Sequence, residues 1–195
     1  MRVFVTGVSC VGKTTIGRTL AELLGVKFFD LDHEIETFFG TSIERLENKF
    51  LTIHSYRKEA AKALVHLLNR PDSRVSVIAL PPSGMMGGYL QVIKKSAGTS
   101  IALYDKPENI LERIRFYDID SKPIEKDLSA DEKRLYRREI KKDITYFRKS
   151  YERAQLQVDI SGLDIRQAAG KVKEALEGID KEARERATSE HSEVD

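Results

Sequence analysis

The sequence predicts an α/β fold: a three-layer α/β/α sandwich around a mostly parallel, five-stranded sheet. Two observations predict it. Short apolar runs alternate with helix-period patterns along nearly the whole chain, and the first such run stops at a glycine-rich turn that opens directly into a helix. The 195 residues suit one domain able to bury a core, and 41% hydrophobic with 33% charged residues describe a globular protein with a well-charged surface.

In chain order, strands are expected at 2–6, 26–30, 74–80, 99–104 and 156–160. Helices are expected at 13–24, 32–39, 43–69, 88–96, 107–117, 130–154 and 165–177. Thr41-x-x-Glu44 and Ser129-x-x-Glu132 read as capping boxes, and Asp164-x-x-Gln167 as a near relative. One domain is expected over 1–178. Within it, "YDIDSKPIEKDLSADEK" at 117–133 is polar, long for a connector and interrupted by Pro123, so it reads as a mobile lid or as a plain surface loop. The polar stretch 179–195 reads as a solvated tail, helical at most in part.

Composition limits the partners. A net charge of +2 supplies no strong field for nucleic acid or a membrane surface, and "KRLYRREIKK" at 133–142 reads as the solvated face of a charged helix. No apolar run is long enough to span a bilayer. The single cysteine, Cys10, excludes a disulfide framework and suits a reducing compartment, and "MRVFVTG" runs straight into a strand pattern without a leader. A cytoplasmic monomer is the expectation.

The glycine-rich turn is "GVSCVGKTT", residues 7–15, which satisfies G-x-x-x-x-G-K-[ST] between a strand pattern and a helix pattern. Glycines let the backbone curl so that successive N–H groups face phosphates, and the helix N-terminus adds its positive dipole end. Gly7, Val8, Ser9, Cys10, Val11, Gly12, Lys13, Thr14 and Thr15 are therefore the candidate nucleotide-binding residues. Lys13 is placed for the β- and γ-phosphates and the Thr14 hydroxyl for Mg²⁺, which marks a nucleoside-triphosphate site. Cys10 reads as a permitted filler, with a redox switch as the alternative. A GTPase would carry D-x-x-G after an early strand and N-K-x-D later. Here "DISG" stands only at 159–162 and N-K-x-D is absent, so a small-molecule kinase fits better.

Residues 12–46, "GKTTIGRTLAELLGVKFFDLDHEIETFFGTSIERL", resemble the N-terminal third of shikimate kinase. That family follows its P-loop with Ile-Gly-x-x-Leu-Ala, Leu-Gly, Phe-x-Asp-x-Asp-x-x-Ile-Glu and Gly-x-Ser-Ile, all present here in order. Weaker similarity continues to about residue 178. The residues themselves agree: Asp30 and Asp32 close a strand, where i and i+2 project to one side, although acids there also cap helices. The resemblance implies that Asp32 meets the acceptor hydroxyl and that Asp30 lies nearer the metal. Arg57 shares a helical arc with Ala61, Leu64 and Leu68, so it needs a partner such as a substrate carboxylate, or else it snorkels to solvent. "YRKEA" at 56–60 resembles the family's Phe-Arg-x-x-Glu, whose arginine holds that carboxylate.

Further roles rest on the resemblance alone. Lys122 in "KPIE" stands where the lid has arginine, Arg113 in "LERIRF" where an arginine stacks on adenine, and Arg148 or Arg153 where an arginine before a tyrosine serves the acceptor. The pattern also departs from the family. Ala60 occupies the glutamate position, with Glu59 one residue short. In "VIALPPSGMMGGYL", residues 77–90, Pro81-Pro82-Ser83-Gly84 replaces three glycines whose bare backbone lies against the substrate, leaving Ser83 and Gly84 as candidate substrate contacts. The expected activity is transfer of the ATP γ-phosphoryl group, with Mg²⁺, to a hydroxyl of a small acid such as shikimate. A sister kinase for another hydroxy acid and a nucleotide-binding regulatory module are the alternatives.

Overall fold

The computed structural model describes residues 1–192. β1 (Arg2–Thr6) leads through the glycine-rich turn into α1 (Lys13–Leu24), and β2 (Lys27–Asp30) passes without a break into α2 (Leu31–Phe39). α3 (Ile43–Glu47), α4 (Ile53–Asn69) and a 3-10 turn at Pro71–Ser73 lead to β3 (Ser76–Ala79). Next come α5 (Gly87–Lys95), β4 (Thr99–Tyr104), α6 (Pro107–Glu112) and two short strands, β5 (Phe116–Tyr117) and β6 (Pro123–Ile124). α7 (Ala130–Tyr151), β7 (Leu156–Asp159) and α8 (Ile165–Ser192) follow.

Five strands form one parallel sheet in the order β2-β3-β1-β4-β7. The central strands are mostly apolar, because both of their faces are covered: Val3, Phe4, Val5, Val77, Ile78 and Ile101 are all buried. The edge strands β2 and β7 keep Lys27 and Asp159 exposed, which discourages pairing with another chain. α1 packs on α8 and against β3, α4 packs on α2 and α5, and α6 packs on α7. Register gives this sheet its functional edge. Asp30 is level with Ala79, Ala79 with Val5, and the neighbouring Thr6 with Ala102, so the carboxyl ends of four strands open onto one rim.

Local chemistry moves several expected boundaries. The helix expected at 43–69 divides in two, because Thr52 accepts a hydrogen bond from the Ser55 N–H (3.1 Å) and starts α4 afresh. α3 is capped by Ser42, which accepts from the Arg45 N–H, rather than by Thr41. The helix expected at 107–117 stops at Glu112, and Phe116-Tyr117 pairs antiparallel with Pro123-Ile124, so the expected lid contains a hairpin. The Ser129–Glu132 capping box forms, as does the reciprocal Asp164–Gln167 pair at 3.0 and 2.8 Å. α8 continues through Ser192, well beyond the expected end at 177, consistent with a stretch rich in Ala, Glu, Lys and Arg and free of proline. Residues 193–195 of the expected tail lie outside the described residues. No helix among the described residues is long and apolar enough to cross a membrane.

An ion network anchors the end of α4. Arg70 pairs with Glu34 of α2 and with Asp72, and Lys27 of β2 also reaches Asp72. The hydrogen bonds from Arg70 and Lys27 pull the Asp72 carboxyl down from 3.8 to about 2. A depressed folded-state value stabilises the fold above the ordinary value, and that contribution is lost as pH falls through the lower one. Asp72→Asn should therefore lower the Tm at pH 7, with the gap from wild type closing between about pH 4 and pH 2. Thermal melts across that range check it.

Candidate active site

The glycine-rich turn leaves β1 at Thr6 and folds as a phosphate-binding loop. Gly7 has φ +149° and Gly12 φ +112°, and a side chain on Gly7 would start 2.8 Å from the Leu103 carbonyl and 2.9 Å from Val11. Cys10 takes a left-handed turn position, φ +58°. Val8 and Val11 point into the core and anchor the loop, while Ser9, Thr14 and Thr15 are exposed. The Lys13 ammonium donates to the Gly7 and Val8 carbonyls, both at 3.0 Å, so it lies over the loop it serves. Burial pushes the Lys13 amine below its ordinary range, and attraction from Asp32, Cys10 and Asp30 opposes that shift.

Asp30 joins this loop to the next strand. Its Oδ2 accepts from the Thr14 hydroxyl at 2.6 Å, and its Oδ1 accepts from the Asp32 N–H at 3.1 Å. The strand-end geometry expected for the two acids does not form, because α2 begins at Leu31 and Asp32 lies in its first turn. Helix capping and convergence on the loop are thus one arrangement: Asp30 is the N-cap, and the same carboxylate faces Thr14. Burial, then the neighbouring Asp30 charge, raises the Asp32 carboxyl to about 6, with Lys13 pulling the other way. Thr14 and Asp30 offer hard oxygen donors suited to a divalent cation. Among the described residues, no cluster of three or more His, Cys, Asp or Glu could hold a metal ion.

Arg57 is half-buried on α4 next to a buried stripe that includes Ala61 and Leu64, and its Nε is buried without a hydrogen-bond partner. Ala60 is enclosed and Glu59 pairs with Lys62, so neither supplies the missing glutamate. Instead Glu47, at the end of α3, faces Arg57. Burial pushes its carboxyl up, and Arg57 pulls it down. Sequence reasoning also missed Tyr56 and Tyr89, whose phenols are raised by burial and by the charges of Asp32 and Glu47. The Tyr89 hydroxyl is buried and makes no hydrogen bond of good geometry. Both tyrosines look like ordinary core residues in the sequence, so no pattern marked them.

The loop after β3 is held from the far side. Tyr151 at the end of α7 donates to the Pro82 carbonyl (3.0 Å), and Arg153 donates to the Met85 carbonyl (3.2 Å). Ser83 is buried, and Gly84 sits so close to Leu80 that a Cβ would lie 2.5 Å from its Cβ. Gly88 packs its bare backbone on α4, where a Cβ would meet Ala61 at 3.0 Å and the Arg57 carbonyl at 3.3 Å. That contact sets the start of α5 beside Arg57.

The shikimate kinase family model matches residues 9–177. The chain belongs to the shikimate kinase family. The shikimate kinase of Chlorobaculum tepidum is 31% identical over 163 residues, 81% of this chain and 78% of that protein. The bifunctional shikimate kinase/3-dehydroquinate synthase of Thermotoga maritima is 31% identical over 116 residues, 58% of this chain but only 22% of that longer protein. The crystal structure of the Aquifex aeolicus shikimate kinase superposes with a TM-score of 0.68 at 27% identity, covering 92% of this chain and 98% of that one. Family members are ATP-dependent kinases that phosphorylate a hydroxyl group and use a divalent metal.

Set against that family, the other candidate residues fall in different places. Lys122 is exposed in the turn between β5 and β6, close to Asp120. Ser42 donates to the Ile119 carbonyl, Ser121 donates to Glu36, and Arg45 pairs with Asp120 at 2.7 Å, so this hairpin docks on α2 and α3. Arg148 sits on the outer surface of α7, paired with Glu152 at 3.3 Å, and Arg153 is the arginine that reaches the loop after β3. Arg113 contacts Asp105 just beyond β4. Tyr151→Phe should leave the Pro82 carbonyl without its donor and lower stability by about 1 kcal/mol, read from the urea midpoint at constant m-value.

Proposed function

We propose that this chain transfers the γ-phosphoryl group of ATP to a hydroxyl group of shikimate. One observation carries the proposal: the P-loop and the acceptor arm meet through a single carboxylate, Asp30, bonded both to Thr14 and to the start of the helix bearing Asp32. The loop amides of residues 7–15 and Lys13 would hold the phosphates. Thr14 and Asp30 would hold Mg²⁺, which would neutralise negative charge on the phosphates. Arg113 would stack on the nucleotide base. Asp32, ionised above about pH 6, would accept a hydrogen bond from the reacting hydroxyl and orient it in line with the γ-phosphorus. As the new O–P bond forms, the hydroxyl proton passes to the Asp32 carboxylate, the bond from the γ-phosphorus to the β–γ bridging oxygen breaks, and ADP leaves.

Arg57, with its buried unpartnered Nε, would bind the acceptor carboxylate, with Glu47 as the nearby counter-charge. Ser83, Gly84 and Arg153 would shape the opposite wall, and the hairpin carrying Lys122 would cover the site. A monomer in the cytoplasm fits the lone cysteine and modest net charge. A second acceptor is favoured by one observation only: the loop that replaces the family glycines turns the Pro82 and Met85 carbonyls towards α7.

Shikimate-dependent ADP release, beside a panel of other hydroxy acids, tests the assignment. Lys13→Ala should reduce turnover by about 1,000-fold while leaving the melting temperature within a few degrees of wild type. Unchanged turnover in that variant would refute the site. Turnover on another hydroxy acid but not on shikimate would refute the acceptor, and tight ATP binding without any turnover would leave only a regulatory module.

A further inference from the structure

Asp105 follows β4 directly, and its side chain is only 2% exposed. Three donors converge on this carboxylate. Arg113 Nη2 donates to Oδ2, while the Asn109 side-chain amide (2.6 Å) and the Lys106 N–H (2.7 Å) both donate to Oδ1. Burial alone would raise the carboxyl. The hydrogen bonds from Arg113, Asn109 and Lys106 outweigh it and hold the group below its ordinary range. A buried, ionised carboxylate with every oxygen engaged is a rigid anchor, and breaking such a group by removing one partner is costly.

Arg113 is held accordingly. One Nη is bound to Asp105, and its Nε is buried without a partner, while 37% of the side chain stays open. A guanidinium tethered through one Nη to a rigid carboxylate is restricted in rotation, and its planar face remains available to a neighbour. The location is close to the phosphates, since the Leu103 carbonyl, two residues before Asp105, abuts Gly7 of the P-loop. Asp105 also lines an open cleft of about 550 Å³, walled in part by Tyr104, Pro107, Ile144 and Ser161. Lys106, Lys141 and Asp159 line the same cleft, and Arg113 is tied to its edge through Asp105.

We infer that Asp105 is a positioning residue for the nucleotide: it fixes the Arg113 guanidinium in the orientation that stacks on the base. The inference rests on Arg113 contacting the base, as proposed above, and is independent of the acceptor's identity. Asp105 touches neither substrate and acts through Arg113 alone.

A double-mutant cycle on ADP affinity tests it, read by titration calorimetry with Mg²⁺ present, on Asp105→Asn, Arg113→Ala and the double variant. Each single change should weaken ADP binding by about 10-fold, and the double variant should bind no more weakly than Arg113→Ala. The KM for ATP should rise in Asp105→Asn, while the KM for the acceptor stays put. Asp105→Asn binding ADP like wild type, or effects that add in the double variant, would overturn the inference. Full affinity in Arg113→Ala would remove Arg113 from the base and the inference with it, so the two failures are distinguishable. Asp105→Glu, which keeps the charge, should recover part of the lost affinity; recovery equal to that of Asp105→Asn would also count against the inference.

Discussion

The active site depends on the shared Asp30 carboxylate. One oxygen takes the Thr14 hydroxyl of the phosphate loop, and the other caps the helix that carries Asp32. Parallel register makes this possible, because Asp30 ends β2 level with Ala79 and the central strand beyond it. The immediate passage from β2 to α2 then turns Asp32 towards Lys13. Charge follows from that placement. With a carboxylate already at Asp30, a second one in a buried position is held less readily, and the Asp32 carboxyl rises to about 6. Lys13 is the cation that both acids face, and they offset part of the cost of its burial.

The loop after β3 shows how a segment can be held in place by different parts. A glycine-lined loop offers bare backbone, whereas Pro81-Pro82-Ser83-Gly84 offers two residues without N–H donors. The loop here is fixed through its carbonyls instead, by Tyr151 and Arg153 at the end of α7. The glycines that remain serve packing: Gly84 folds onto Leu80, and Gly88 lets α5 press on α4 beside Arg57. The carboxylate missing at Ala60 is answered from another element by Glu47. Each replacement restores a local requirement, such as a held loop or a counter-charge, through a side chain distant in sequence.

This difference explains what could be read from the residues alone. Features set by neighbours along the chain were legible: the five strands of the parallel sheet, the P-loop between β1 and α1, and the capping box at Ser129. Features set by contacts between distant segments were not. Nothing local tells that Phe116 will find Ile124, or that Arg153 rather than Arg148 will reach Met85. Glu47, Tyr56, Tyr89 and Asp105 escaped for the same reason, since a charged helix end, two core-like aromatics and a strand-end acid are common in any α/β protein. The hairpin also illustrates a limit of composition, because a polar, proline-containing segment is as compatible with a docked β-turn as with an unstructured lid.

The central claim is that the negative charge on Asp30 couples the phosphate loop to the acceptor arm. Asp30→Asn removes that charge and keeps the helix cap, because the asparagine Oδ1 still accepts from the Asp32 N–H while its Nδ2 faces the Thr14 hydroxyl oxygen as a donor. The decisive measurement is kcat for this variant at saturating ATP and acceptor, with the melting temperature recorded in parallel. The account predicts a fall of about 100-fold in kcat with the fold retained. A kcat within threefold of wild type would contradict it.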